Sequence, residues 1–136
     1  MVQYLNLADF LIIAEAALGI PAEDLYRTCH IGVADSALKA PAACFADFEG
    51  YPTMAQKAAV LTYRLCRNHA LIDGNKRVAY LAVREFVARN GYTWTPPAGD
   101  VPDGDETVKI MWDLAAGQLT EDELTRWIAE RIGETT

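Results

Sequence analysis

The sequence predicts an all-α fold: a compact single-domain helical bundle spanning residues 1–136, with one short flap or hairpin loop. Three observations carry this. Apolar residues recur at helical spacing along most of the chain. Two Thr-x-x-Gln/Glu capping boxes and several Gly stops mark where helices begin and end. About half of the residues are apolar, in a length natural for one domain, so a sizeable core is available.

Each element follows in order. A first helix runs from about Ala8 to Leu18, with Phe10, Ile13, Ala14, Ala17 and Leu18 on one face, and Gly19 ends it. Pro21 suits the first turn of a second short helix reaching about Thr28. Asp35 is the expected N-cap of a third, SALKA, which Pro41 stops. Residues 42–52, AACFADFEGYP, break the helical pattern and read as a loop or short hairpin carrying Phe45 and Phe48. Thr53 and Gln56 then form a capping box for a long amphipathic helix to about Asn68. A second long helix, KRVAYLAVREFVARN, is closed by Asn90-Gly91. Tyr92 to Thr95 reads as extended, and residues 96–104 as a Pro/Gly/Asp-rich loop. A helix from Asp105 to about Ala116 stops at Gly117. A last one opens at the Thr120 to Glu123 box and runs to about Ile132, with Gly133 as its stop. Trp94, Trp112 and Trp127 are expected in the core.

Composition excludes several classes. The apolar N-terminus has no basic leader and is interrupted by Asp9 and Glu15, so a buried helix is expected rather than a signal peptide. Its run FLIIA is far too short to span a bilayer, and a cytoplasmic location with no membrane partner is expected. Cys29, Cys44 and Cys66 are odd in number and widely spaced, which predicts buried free thiols. A net charge of −7 argues against direct nucleic-acid binding. The charge is unevenly spread: residues 54–92 balance at +5 and the remainder at −12. A basic centre in an acidic protein suits a small polyanion. Lys57, Arg84 and Arg89 are read as solvated helix faces, and Lys76 and Arg77 as something else.

The reason lies in residues 69–77, HALIDGNKR, which join the two long helices. The first N–H groups of a helix have no intrahelical partner, and with the helix dipole they attract anions. Lys76 and Arg77 place two cations at that end, where the dipole disfavours them by roughly 0.3–1 kcal/mol each. A bound phosphate would compensate. Only Asp73 matches the ordinary structural preference, as an N-cap. His69 offers an imidazole able to accept a hydroxyl proton. Asp73 offers a carboxylate for Mg2+ on phosphate oxygens, and Asn75 an amide donor. Two readings fit these residues alone: a capped turn, or a phosphoryl- or nucleotidyl-transfer site. His30 has no such company and is expected to be structural.

HALIDGNKR resembles the motif of the Fic/Doc family: a His, an aromatic two residues on, an acid four on, then Gly-Asn and a basic end. The likeness is closest to the Doc (death-on-curing) branch, which reads Asn-Lys-Arg, as Asn75-Lys76-Arg77 do here. The Fic branch carries Gly at the Lys76 place, and a second Arg where Tyr80 stands. DSALKAP, YPT, Lys57 to Ala59 and NGY at 90–92 are similar to the Doc pattern as well. The resemblance implies the toxin of a type II toxin–antitoxin pair. It would be a protein kinase moving the γ-phosphate of ATP, with Mg2+, onto a hydroxyl of elongation factor Tu and so blocking translation. The alternatives are an AMP transferase and a catalytically silent antitoxin-binding protein. By resemblance His69 is the base and Asp73 the metal-side carboxylate. Gly74, Asn75, Lys76 and Arg77 hold the phosphates, and the loop at 42–52 is the flap that docks the target. Leu71 stands where the family carries an aromatic, usually Phe. Glu49-Gly50 is preceded at the relevant spacing by Phe45, not Ser or Thr, so a built-in inhibitory motif is missing and inhibition is expected in trans from a Phd-like antitoxin.

Overall fold

Asn6 opens the chain's first helix, α1 (Leu7–Leu18), through a reciprocal capping box with Asp9, and Gly19 closes it in the left-handed conformation at φ 70°. The structure is a computed structural model and describes residues 1–100 and 104–135. Residues 101–103 of the expected Pro/Gly/Asp-rich loop lie outside the described residues. Next come α2 (Ala22–Thr28) and α3 (Ile31–Lys39), the latter followed by a 3-10 turn at Ala40–Ala42. The long pair is α4 (Met54–Arg67) and α5 (Asn75–Arg89), and α6 (Asp105–Ala115) and α7 (Glu121–Arg131) complete the helices. Thr53 and Thr120 cap α4 and α7 through the expected boxes with Gln56 and Glu123.

The fold is mostly helical, as expected, but two small antiparallel ribbons qualify the all-α reading. β1 (Cys44–Phe45) pairs with β2 (Phe48–Glu49), the hairpin anticipated between residues 42 and 52. β3 (Tyr92–Trp94) pairs with β4 (Ile132–Glu134), in register Thr93 to Gly133. Gly133 was expected to be a helix stop and is instead the middle of a strand, because a partner far upstream in sequence is available to it.

α4 is the hub. It packs chiefly on α5 and α7, and also on α3 and α6. Ala58, Leu61 and Leu65 of α4 meet Val78, Ala82, Val83 and Phe86 of α5 in one buried cluster that also takes Phe10, Leu114, Leu124 and Ile128. Each large apolar side chain so buried contributes roughly 1.5–3 kcal/mol.

Several expectations are corrected. Asp35 lies inside α3, whose N-cap is His30, and pairs with Lys39 at 2.7 Å one turn on. Pro21 is the N-cap of α2 rather than within its first turn. Lys57 is not solvated: it is only 3% exposed, and its Nζ donates to the Tyr51 carbonyl at 2.6 Å and pairs with Glu49 at 3.2 Å. Helical periodicity does not show this, because the burial comes from the preceding hairpin folding back over α4. Arg89 is exposed but paired, to Asp9 at 3.0 Å and Glu85 at 3.3 Å. Cys66 is buried, whereas Cys44 sits exposed on the hairpin and Cys29 is half-buried. Trp94 is in the core, but Trp112 is 62% exposed. Among the described residues no helix is long and apolar enough to cross a membrane.

Candidate active site

The segment 68–74 carries the chain from α4 to α5, and its shape is set by local bonds. His69 takes a left-handed backbone, φ 52°, which breaks the helical run. Ala70 and Leu71 then turn inward and are buried. The Ala70 carbonyl accepts from the backbone N–H of His30 at 2.7 Å, which ties the loop to the start of α3. Asn75 reaches back to Leu71. Its Oδ1 accepts from the Leu71 N–H at 3.0 Å and its Nδ2 donates to the Leu71 carbonyl at 2.9 Å. One amide N–H of Asn75 is left over from this ring.

Asp73 is not the N-cap of α5. That position is Gly74, at φ 85°, and no side chain caps the helix. Asp73 sits one residue earlier, and its Oδ1 accepts the Gly74 N–H at 2.8 Å. Gly74 is needed twice over, for its positive φ and because a Cβ there would run into the Leu18 side chain. The first intrahelical bond of α5 is Val78 N–H to the Gly74 carbonyl. The N–H groups of Asn75, Lys76 and Arg77 are therefore free of helical partners and point out of the helix end.

The two cations at the start of α5 differ from Lys57 and Arg89 of the basic centre, which are paired with carboxylates. Arg67 donates to the Leu114 carbonyl at the end of α6, at 2.9 Å. Arg77 reaches only the Ala17 carbonyl, at 3.4 Å, and Lys76 lies over the Trp112 ring with Nζ 4.9 Å from the centroid. Among the described residues neither makes an ion pair. Two unneutralised cations face the positive end of a helix, an arrangement that an anion completes.

His69, Asp73, Gly74, Asn75, Lys76 and Arg77 all line one cleft of about 810 Å³, a size suited to a nucleotide-sized ligand. Sequence reasoning placed these six together and missed the opposite wall. That wall is α6, through Thr107, Val108, Met111, Trp112 and Ala115. A signal was present: Val108 and Trp112 form an apolar i, i+4 pair beside the core-facing Met111 and Leu114, so the helix has more apolar surface than one core contact uses. Cys66 also lines the cleft. Burial pushes its thiol up, outweighing the nearby Lys76 and Arg67, so it stays a neutral floor residue. Asp100 lies at the α6 end. Burial raises its carboxyl, but hydrogen bonds from the Thr107 hydroxyl and the Glu106 and Thr107 N–H groups, with the charge of Arg131, hold it below the usual range.

Fold and site together define a small helical protein with an anion cradle at a helix N-terminus, beside an imidazole and a carboxylate, the layout that transfer of a phosphate-bearing group requires. The chain belongs to the Fic/Doc family: the sequence model described as the Fic/DOC family matches residues 4–87. A protein of Mycolicibacterium smegmatis named Toxin Doc is 37% identical over 91 residues, covering 67% of this chain and 67% of that protein. The expected family resemblance is thereby met.

Proposed function

We propose that this chain is the toxin of a type II toxin–antitoxin pair and acts as a protein kinase, moving the γ-phosphate of ATP onto a hydroxyl side chain of elongation factor Tu. The observation that carries the reading is Lys76. It stands at the N-terminus of α5, without a carboxylate partner among the described residues, at the place where the Doc-like pattern has Lys and the Fic-like pattern has Gly.

His69 takes the proton of the acceptor hydroxyl. That oxygen bonds to the γ-phosphorus, the bond from phosphorus to the β–γ bridging oxygen breaks, and ADP leaves. The N–H groups at the start of α5, with Lys76 and Arg77, hold the phosphates. The spare N–H of Asn75 donates to a phosphoryl oxygen while the rest of its amide keeps the loop in shape. Asp73 suits Mg2+: it is exposed and only one of its oxygens is engaged in a hydrogen bond. No cluster of three or more metal-donor side chains occurs among the described residues, so the other ligands would be phosphate oxygens and water. Bound there, the cation would neutralise charge on the phosphates. A Phd-like antitoxin supplies inhibition in trans, consistent with Phe45 at the place where a built-in inhibitory motif would have Ser or Thr.

Incubation of the chain with elongation factor Tu, Mg2+ and ATP labelled at either the γ or the α position tests this. Label from the γ position on the target is expected. Label from the α position would make the chain an AMP transferase, and no label from either would leave it a silent antitoxin-binding protein.

A further inference from the structure

The wall of α6 differs in kind from the loop opposite. Its cleft-lining residues, from Thr107 to Ala115, carry no charge. The Thr107 hydroxyl is committed to Asp100 at 2.7 Å, and the Asp100 carboxylate opposes a phosphate on that side. Phosphates therefore belong at the α5 end. What α6 offers is flat and apolar: Trp112 with Val108 one turn before it, 62% and 48% exposed. A large exposed indole beside a polyanion cradle is poorly explained by packing, since the core does not use it.

We infer that Trp112 is the stacking platform for the purine base of the nucleotide whose phosphates Lys76 and Arg77 hold. This rests on the reading of the cleft as a nucleoside triphosphate site. In the structure the Lys76 ammonium covers the Trp112 ring at 4.9 Å. An exposed cation–π contact is weak, and a phosphate competes for the ammonium with a stronger charge-assisted bond. A nucleotide thus moves Lys76 from ring to phosphate and uncovers the ring face for its base. Lys76 serves as the link between the two halves of the site.

Equilibrium binding of Mg2+-ATP and of Mg2+-tripolyphosphate, by titration calorimetry, separates the halves. Trp112→Ala is expected to weaken ATP by roughly 5- to 150-fold, the range of one base–aromatic stack. Tripolyphosphate affinity should not weaken, because no base is present to stack, and should tighten by roughly 2- to 5-fold at most as Lys76 no longer has a ring to leave. Trp112→Phe should recover most of the ATP affinity. Trp112 is exposed, so circular dichroism should show both variants folded. Equal weakening of ATP and tripolyphosphate in Trp112→Ala overturns the platform, as does unchanged ATP affinity. A wild-type chain that binds tripolyphosphate but gains nothing from the adenosine overturns the platform and leaves the phosphate reading standing. A wild-type chain that binds neither overturns both.

Discussion

His69 combines chemistry with an unfavourable backbone. A φ of 52° in a residue other than Gly costs on the order of 1–3 kcal/mol, and such strain gathers at functional sites. Glycine accepts the conformation and alanine does not. His69→Gly is therefore expected to unfold in urea at least as late as wild type, and about 1 kcal/mol later than His69→Ala. Both variants should give no labelled target. Equal midpoints for the two would mean the backbone there is relaxed. The identities at the site were legible in HALIDGNKR because each tie between residue type and chemistry is local: imidazole to proton, carboxylate to cation, ammonium to phosphate. The conformations were not. Nothing about a histidine announces a left-handed backbone, and the role of Asn75 in holding Leu71 appears only when the chain is bent back on itself.

Some helix ends were legible for the same reason of range, though the starts of α2, α3 and α5 were misplaced. Asn6 apart, the caps at Thr53 and Thr120 and the stop at Gly19 are written within four residues of sequence. The ribbon of β3 and β4 was only half legible, since Tyr92 to Trp94 reads as extended but its partner reads as a helix stop. Lys57 is the case with most consequence. Its buried ammonium ties α4 to the β1–β2 hairpin through Glu49 and the carbonyl of Tyr51. The hairpin itself presents Phe45 and Phe48 outward, 71% and 76% exposed, and buries little. Lys57 is thus its main polar tie to α4. Lys57→Met should leave α4 helical while the Gly50 N–H, which donates to the Ala43 carbonyl at 2.9 Å, exchanges with solvent at least roughly tenfold faster. Unchanged exchange at Gly50 would show that the strands hold without the lysine.

Across the whole molecule, part of the charge asymmetry seen in sequence is absorbed by structure, and the cleft keeps Lys76 and Arg77. Lys57 and Arg89 are spent on carboxylates and Arg67 on a helix end, which the sum over residues 54–92 could not reveal. Charge also sets the acid limb of stability. Asp100 and Glu123 both hold their carboxyls below the ordinary range, each accepting backbone hydrogen bonds at the start of a helix. A depressed folded value adds stability that is complete above about pH 4 and is lost as pH falls through the folded value. Glu121 acts in the opposite sense, pushed up by burial against the pull of Arg64, so its share falls as pH rises past that range. Asp100→Asn should flatten the loss of urea resistance between about pH 4 and pH 2, and an unaltered acid limb would remove Asp100 from that account. One local feature finally reaches the scale of the whole. The ring that Asn75 closes with Leu71 forms as the chain folds, so the entropy of ordering the cradle belongs to folding and not to ligand capture. On the proposed reading, an arriving anion would meet a preorganised mould in which little besides the Lys76 and Arg77 side chains is left to settle.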